Sequence, residues 1–189
     1  MRDLSLHLLD IIQNSVSAGA TSVYIEINAD DTYLEISVKD NGKGMEADLL
    51  SEVTDPFVTT RSSRKVGLGI PLIKEACEHA GGGITISSTA GKGTQINMKM
   101  LISSIDRLPV GDIGSTFMNL AVSNPEIDFH LTMISPIDKY LLSFSEIRKY
   151  MDGVPLSDIN VAGWIKNNIE KGKNYIFGGI LNEVTGTIR

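Results

Sequence analysis

The chain has 189 residues, 42% hydrophobic and 21% charged, with a net charge of −6. That composition supports a packed core rather than disorder, and the length suits one large domain or an ordinary domain with a smaller second one. The acidic balance gives no field to attract phosphate backbones or anionic membranes, so neither nucleic acid nor membrane is expected as a partner.

Residues 3–18, DLSLHLLDIIQNSVSA, read as an amphipathic helix. Leu4, Leu8, Ile11 and Ser15 follow the rhythm of one face, Ile12 and Val16 widen it, and Gly19 stands at the C-terminal stop. A polar stripe of His7, Asp10, Asn14 and Ser17 runs along a second face. This start has acids in its first turns and no small-residue cleavage site, so it does not read as a signal peptide. No apolar run in the chain approaches the ~20 residues of a membrane span. The expected location is cytoplasmic.

Residues 21–28 and 32–40 alternate with period two and read as strands around a turn at 29–31. A short helical stretch follows at 46–52, then a loop without period. A helix at about 69–80 tolerates Pro71 in its first turn. It holds Cys77, the single cysteine, which excludes an internal disulfide and fits a reducing compartment. Three scattered histidines speak against zinc. Strands at 83–88 and 93–101 complete an α/β unit with one mixed sheet and helices on one face, closing near residue 104. Beyond it the spacing predicts a helix at about 112–123, strands at 126–134 and 139–145, and helices at 145–151 and 157–172. Trp164 is expected in the core. The boundary is expected at 103–111, giving domains 1–104 and 105–189.

Four short stretches carry possible chemistry. In the first helix, Asn14 offers a hard oxygen to Mg²⁺, which often takes few protein ligands and completes its shell from phosphates and water. Asp10, one turn earlier, is placed to polarise a water attacking a γ-phosphate. The alternative is a solvated helix face. The second stretch is DNGKGM, residues 40–45. Asp40 ends an apolar strand, and a partly buried carboxylate needs donors, such as an exocyclic amino group. Gly42 and Gly44 would let a flat ring approach the backbone, and Met45 would pack against it. The alternative is a type I′ turn, favoured by Asn-Gly. The third is RSSRKVGLGIP, residues 61–71, where Gly67, Leu68 and Gly69 lead into a helix N-terminus that attracts phosphate. Arg61, Arg64 and Lys65 add positive charge. The alternative is a solvated loop. The fourth is TAGKGTQI, residues 89–96, which places the Thr94 hydroxyl beside Asp40, bridging through water to the same ring. The alternative is another hairpin turn.

These stretches, in this order, resemble the ATP-binding fold shared by gyrase, the heat-shock chaperone family, histidine kinases and MutL (the GHKL superfamily). LLDIIQNSVSAGAT resembles the N box, DNGKGM the first glycine box, DPFVTT the F box, GLGIPL the second glycine box and GKGT the following glycine motif. The likeness covers residues 1 to about 101. It implies a Bergerat-type two-layer α/β sandwich, with residues 105–189 as a small α+β domain. It also implies that Asn14 coordinates Mg²⁺ on the phosphates of ATP, and that Asp40 accepts the adenine amino hydrogen, with Gly44 and Thr94 in the same water network. Gly67 and Gly69 would give N–H groups to the phosphates, and residues 58–66 would form the ATP lid. The N-box half is more similar to MutL, and the stretch from DPFVTT to GKGT to histidine kinases. The start of the second domain loosely resembles that of MutL.

The resemblance implies Mg²⁺-dependent ATP hydrolysis or phosphoryl transfer, with Asp10 as base. ATP-hydrolysing members usually carry glutamate there, one methylene longer. Neither His7 nor His79 precedes the ATP domain as a phosphoacceptor would, so a complete two-component sensor is not expected. The alternative is a non-catalytic adaptor that docks a protein partner when ATP orders the lid, through the lid or the second domain; a homodimer is also compatible.

Overall fold

The computed structural model describes residues 3–53 and 69–181. Helix α1 (Leu4–Ser17) begins where the Asp3 carboxylate accepts the Leu6 N–H at 3.1 Å. That cap satisfies one of the donors a first turn leaves free. Its inner face, Leu4, Leu8, Ile11 and Ile12, is at most 2% exposed. Strands β1 (Ser22–Ala29) and β2 (Tyr33–Asp40) pair antiparallel. Asp30 closes their turn by accepting the Thr32 and Tyr33 N–H groups at 2.6 Å. Helices α2 (Ala47–Glu52) and α3 (Gly69–His79) and strands β3 (Gly83–Thr89) and β4 (Gly93–Leu101) follow.

Beyond residue 104 come α4 (Ile113–Ser123), β5 (Asp128–Ile134), β6 (Lys139–Ser143), α5 (Phe144–Tyr150) and α6 (Ile159–Phe177). The C-terminal α+β unit adds its strands to the sheet of the first, giving the order β3-β4-β2-β1-β5-β6. β5 lies parallel to β1, with Val23 beside Phe129 and Ile25 beside Leu131; the other pairs are antiparallel. The segment expected as a boundary lies against α1, where Leu4 donates its N–H to the Pro109 carbonyl at 2.9 Å. Lys173 of α6 donates to the Gly111 carbonyl at 2.7 Å.

The sheet is covered on one face. Ile25, Ile36, Phe129 and Leu131 turn inward and are at most 2% exposed, whereas Tyr24, Glu26 and the Glu35–Lys99 ion pair lie on the open face. This is the period-two alternation of a half-buried sheet. None of the described helices is long and apolar enough to cross a membrane.

Three local expectations change. The strand expected to reach 145 stops at Ser143, because Phe144 turns into the core, edge-on to Phe117 and Phe129. Ser145 then donates its N–H to Asp128 at 2.7 Å as α5 begins. The last helix runs past Gly172 to Phe177, because Ile176 and Phe177 are 1% and 3% exposed and hold the extra turn on the core. Trp164 is 47% exposed, outside the core, because Val161, Ile165 and Ile169 take the inner face of α6.

Candidate functional site

The corner begins at Asp40, the last residue of β2, which is 8% exposed. Its Oδ1 accepts the Gly42 N–H at 2.9 Å and the Thr94 N–H at 3.2 Å. Its Oδ2 accepts the Ser15 hydroxyl at 2.7 Å. A carboxylate has about four lone-pair positions. Oδ1 is therefore filled and Oδ2 retains one.

The turn after Asp40 is not type I′. That geometry needs positive φ at both central residues, and neither Asn41 nor Gly42 has it. Asn41 instead pins the turn to the α1–β1 connection: its Oδ1 accepts the Thr21 and Ser22 N–H groups at 2.9 Å, and its Nδ2 donates to Thr21 Oγ1 at 2.9 Å. The glycines also act differently from the expectation of a ring lying on bare backbone. A Cβ on Gly42 would meet Ala18 and the Asp40 carboxylate, and a Cβ on Gly44, at φ +65°, would strike the Thr89 carbonyl. They are needed for chain against chain.

Asp40, Gly44, Met45, Thr94 and Asn14 come together around a cavity of about 280 Å³. Its walls are mainly apolar, from Ile11, Leu49, Val53, Ile70 and Ile96, with Ser15, Ser17 and Lys43 adding polar groups. Apolar walls with a few placed polar groups are the make-up of small-ligand sites. Met45 donates its N–H to Ser88 Oγ at 2.9 Å. The Thr94 hydroxyl lies 3.0 Å from Ser88 Oγ, so it is the Thr94 amide that reaches Asp40.

The expected polar stripe on α1 is divided. Asn14 lines the cavity. His7 is 4% exposed with Nδ1 unpartnered, and burial holds its pKa below the ordinary 6.5. Asp10 is not on the cavity wall. Its Oδ2 is buried without a partner and fills the place a Cβ would take on Gly69, the first residue of α3. The shorter side chain thus goes with a helix that packs close. Arg61, Arg64, Lys65, Gly67, Leu68 and the 58–66 segment lie outside the described residues.

Sequence reading missed Ser15, Lys43 and Ser88. Ser15 sat in the apolar rhythm of α1, and a hydroxyl on that buried face was the one available signal. Lys43 and Ser88 offered none beyond their polarity.

An α/β sandwich with a buried carboxylate on the wall of an apolar cavity defines the class as small-ligand-binding. Residues 2–103, just over half of the chain, match the family described as histidine kinase-, DNA gyrase B- and HSP90-like ATPase, and the chain belongs to that family. Membership implies ATP as its ligand. The chain is 34% identical over 103 residues to a putative sensor protein of Shewanella frigidimarina, covering 52% of this chain and 16% of that protein. It is 30% identical over 106 residues to the sensor histidine kinase ZraS of Escherichia coli K12, covering 55% and 23%. It is also 30% identical over 108 residues to a putative NtrY-like sensor histidine kinase of Rickettsia conorii, covering 56% and 18%. The chain thus spans less than a quarter of these relatives. In fold it is similar to a crystal structure of the N-terminal domain of a DNA repair protein, with a TM-score of 0.50 and 18% identity, covering 76% of this chain and 53% of that one. That coverage exceeds the family match, so part of the C-terminal unit belongs to the shared fold.

Proposed function

We propose that this chain binds ATP with Mg²⁺ in the cavity and either hydrolyses it or passes its phosphoryl group to a protein partner. The observation that carries this is the one open lone pair on Asp40 Oδ2, at the wall of an otherwise apolar cavity. An exocyclic amino group fits that position, and the adenine ring fits the apolar walls beside Met45. The cavity suits such a group: Asp40 Oδ2 has capacity for one more bond, and among the described residues no side-chain N or O on its wall is buried without any partner.

Asn14 lines the cavity from α1. Among the described residues no cluster of three or more His, Cys, Asp or Glu gathers. Mg²⁺ here would be held by the Asn14 oxygen together with phosphate and water. The N-terminus of α3 at Gly69 lies against Asp10. Free N–H groups at a helix start favour phosphate, and the nearness of Asp10 to that helix start supports reading it as the base at the phosphate end. The bound metal supplies charge neutralisation on the phosphates; the protein's part is to orient the nucleotide and exclude water.

The adaptor reading has one observation in its favour: Asp10 Oδ2 is buried against Gly69 and off the cavity wall. In that reading ATP binding alone alters the surface offered to a partner, through the 58–66 segment or the C-terminal unit. The sensor-kinase relatives make a protein partner and a homodimer part of the proposal.

Calorimetric titration of ATP with and without Mg²⁺, with phosphate release, on wild type, Asn14→Ala, Asp40→Ala and Asp10→Ala tests this. Asp40→Ala should weaken ATP by about a hundredfold, as loss of a charge-assisted bond of 1.5–3 kcal/mol allows. Asn14→Ala should remove the Mg²⁺ dependence. Unchanged affinity in Asp40→Ala sinks the adenine assignment. Binding without phosphate release in wild type removes hydrolysis, and release unaffected by Asp10→Ala removes Asp10 as base.

A further inference from the structure

The outer face of α6 is not that of a helix built to meet water alone. Asn160, Trp164, Asn167, Lys171 and Asn174 are all exposed and follow one another at intervals of four, three, four and three. That alternation is the spacing of a helix–helix seam. Val161, Ile165 and Ile169 already occupy the inner face against the core, so the seam points away from the chain's own fold. Asparagine is a poor helix former and glycine a worse one. Gly163 nonetheless stands beside Trp164 in mid-helix, and a Cβ there would meet nothing within 4 Å. No contact among the described residues calls for a glycine. A depression of about 470 Å³ lies over it, bordered by Ile159, Trp164 and Asn167.

The polar groups of this helix divide in the same way. Lys166 and Lys173 pair with Asp112 and Glu170 at 3.8 and 2.7 Å, and Asn168, off the seam, accepts the Tyr140 hydroxyl at 2.6 Å. Among the described residues no acid pairs with Lys171, and the side chains of Asn160, Asn167 and Asn174 make no bond. Amides both give and take hydrogen bonds, so a seam of amides with one aromatic ring and one unpaired cation is complementary to itself. Two copies of α6 set antiparallel about a two-fold axis between Ile165 and Lys166 align Trp164 with the partner's Asn167, and Asn160 with the partner's Lys171. Each lysine then also lies one turn from the partner's Trp164, whose ring face attracts a cation. The parallel alternative sets Lys171 against the partner's Lys171, and like charges repel.

We propose that the outer face of α6 is an interface joining two copies of this chain antiparallel, with Trp164 as its anchor, Gly163 as the point of close approach and the asparagines setting the register. Polar seam residues fix register and partner at a cost in affinity. A tryptophan that becomes fully buried only on association is the usual centre of such an interface, and the two-fold axis makes each patch meet its own copy. The inference supplies a surface for the homodimer included in the reading above. None of these residues lines the cavity at Asp40, so the interface and the nucleotide site can be tested apart.

The test is sedimentation equilibrium of the full chain without nucleotide, across the micromolar to millimolar range. Wild type should form a dimer that dissociates at roughly 10 μM, a weak value suited to a short polar seam. Trp164→Glu should weaken it by about thirtyfold. Gly163→Ala separates docking from folding. It should raise the melting temperature of the monomer by about 2–4 °C, because alanine replaces glycine inside a helix, and weaken the dimer by about tenfold, because the added methyl holds the helices apart. Asn160→Glu reads the orientation. In the antiparallel pair it faces the partner's Lys171 and should tighten the dimer by about fivefold through two exposed ion pairs. Adding Lys171→Glu should reverse that gain. A chain that stays monomeric to the top of the range overturns the inference, as does a dimer that keeps its affinity in Trp164→Glu or Gly163→Ala. Loosening by Asn160→Glu overturns the antiparallel pairing. A dimer with these responses in a chain that binds no ATP overturns the nucleotide reading alone, and a monomer that binds ATP overturns this inference alone.

Discussion

The corner at Asp40 and the seam between α4 and α6 use the same kinds of bond and end differently. At the corner a carboxylate accepts two N–H groups and a hydroxyl and keeps one position open toward a cavity. At the seam, Glu170 Oε1 accepts the Gly114 N–H at 2.8 Å, and its Oε2 pairs with Lys173 at 2.7 Å. Lys173 in turn donates to the Gly111 carbonyl. That network joins α6 to the start of α4, and none of its residues lines the cavity at Asp40. A part-buried polar network alone therefore does not mark a site. Bonding capacity left over, facing open space, does.

The comparison can be broken first in the core of the C-terminal unit. Phe129 is 0% exposed and edge-on to Phe144 at 5.4 Å. Phe129→Ala should cost about 3–5 kcal/mol of stability by denaturant unfolding, while the folded fraction keeps its ATP affinity. A large affinity loss in that fraction would tie this unit to the site directly.

Gly69→Ala comes next. Its Cβ falls on the Asp10 carboxylate, and such overpacking should cost about 1–3 kcal/mol. Asp10→Ala should relieve most of it in the double variant, giving a coupling energy that a mutant cycle measures. Additive losses would separate the two residues.

At the seam, Asp112 caps α4 by accepting the Ser115 N–H at 2.7 Å. Burial raises its pKa, but the bonds from the Ser115 hydroxyl and N–H, with Lys166 nearby, hold it below the ordinary 3.8. A depressed carboxylate contributes stability above its unfolded pKa and loses it as pH falls through the folded value. Asp112→Ala should thus cost about 1 kcal/mol at neutral pH, and the gap to wild type should close in acid below 3.8. A gap that persists there removes the charge from the explanation.

The smallest effect belongs to His7. Burial first, then the N-terminal charge, lowers its pKa below 6.5 against the opposing pull of Asp10 and Asp3. The unfolded chain therefore takes up a proton that the folded one refuses, and stability declines as pH drops below 6.5. His7→Leu should flatten that part of a melting-temperature profile. An identical slope in the variant would mean that another group titrates.

Much of this was legible in the sequence. The rhythm of α1, the alternation of β1 and β2, and the glycine-bounded strands β3 and β4 predict elements within a residue or two of those observed. The order of the motifs pointed to the family, and Asp40 and Asn14 were readable as residue types suited to an amino group and a hard cation. Their chemistry is local to each stretch, and so is the periodicity of helix and strand. Tertiary structure decided the rest. Ser15 meets Asp40 across 25 positions and Thr94 meets it across 54, so no spacing within one element announces either bond. The hidden glycine contacts, the fit of a shorter Asp10 to a closer α3, and the continuation of one sheet through β5 arise in the same way. Each depends on which surfaces meet after the apolar faces have packed, and that is settled by the whole chain at once.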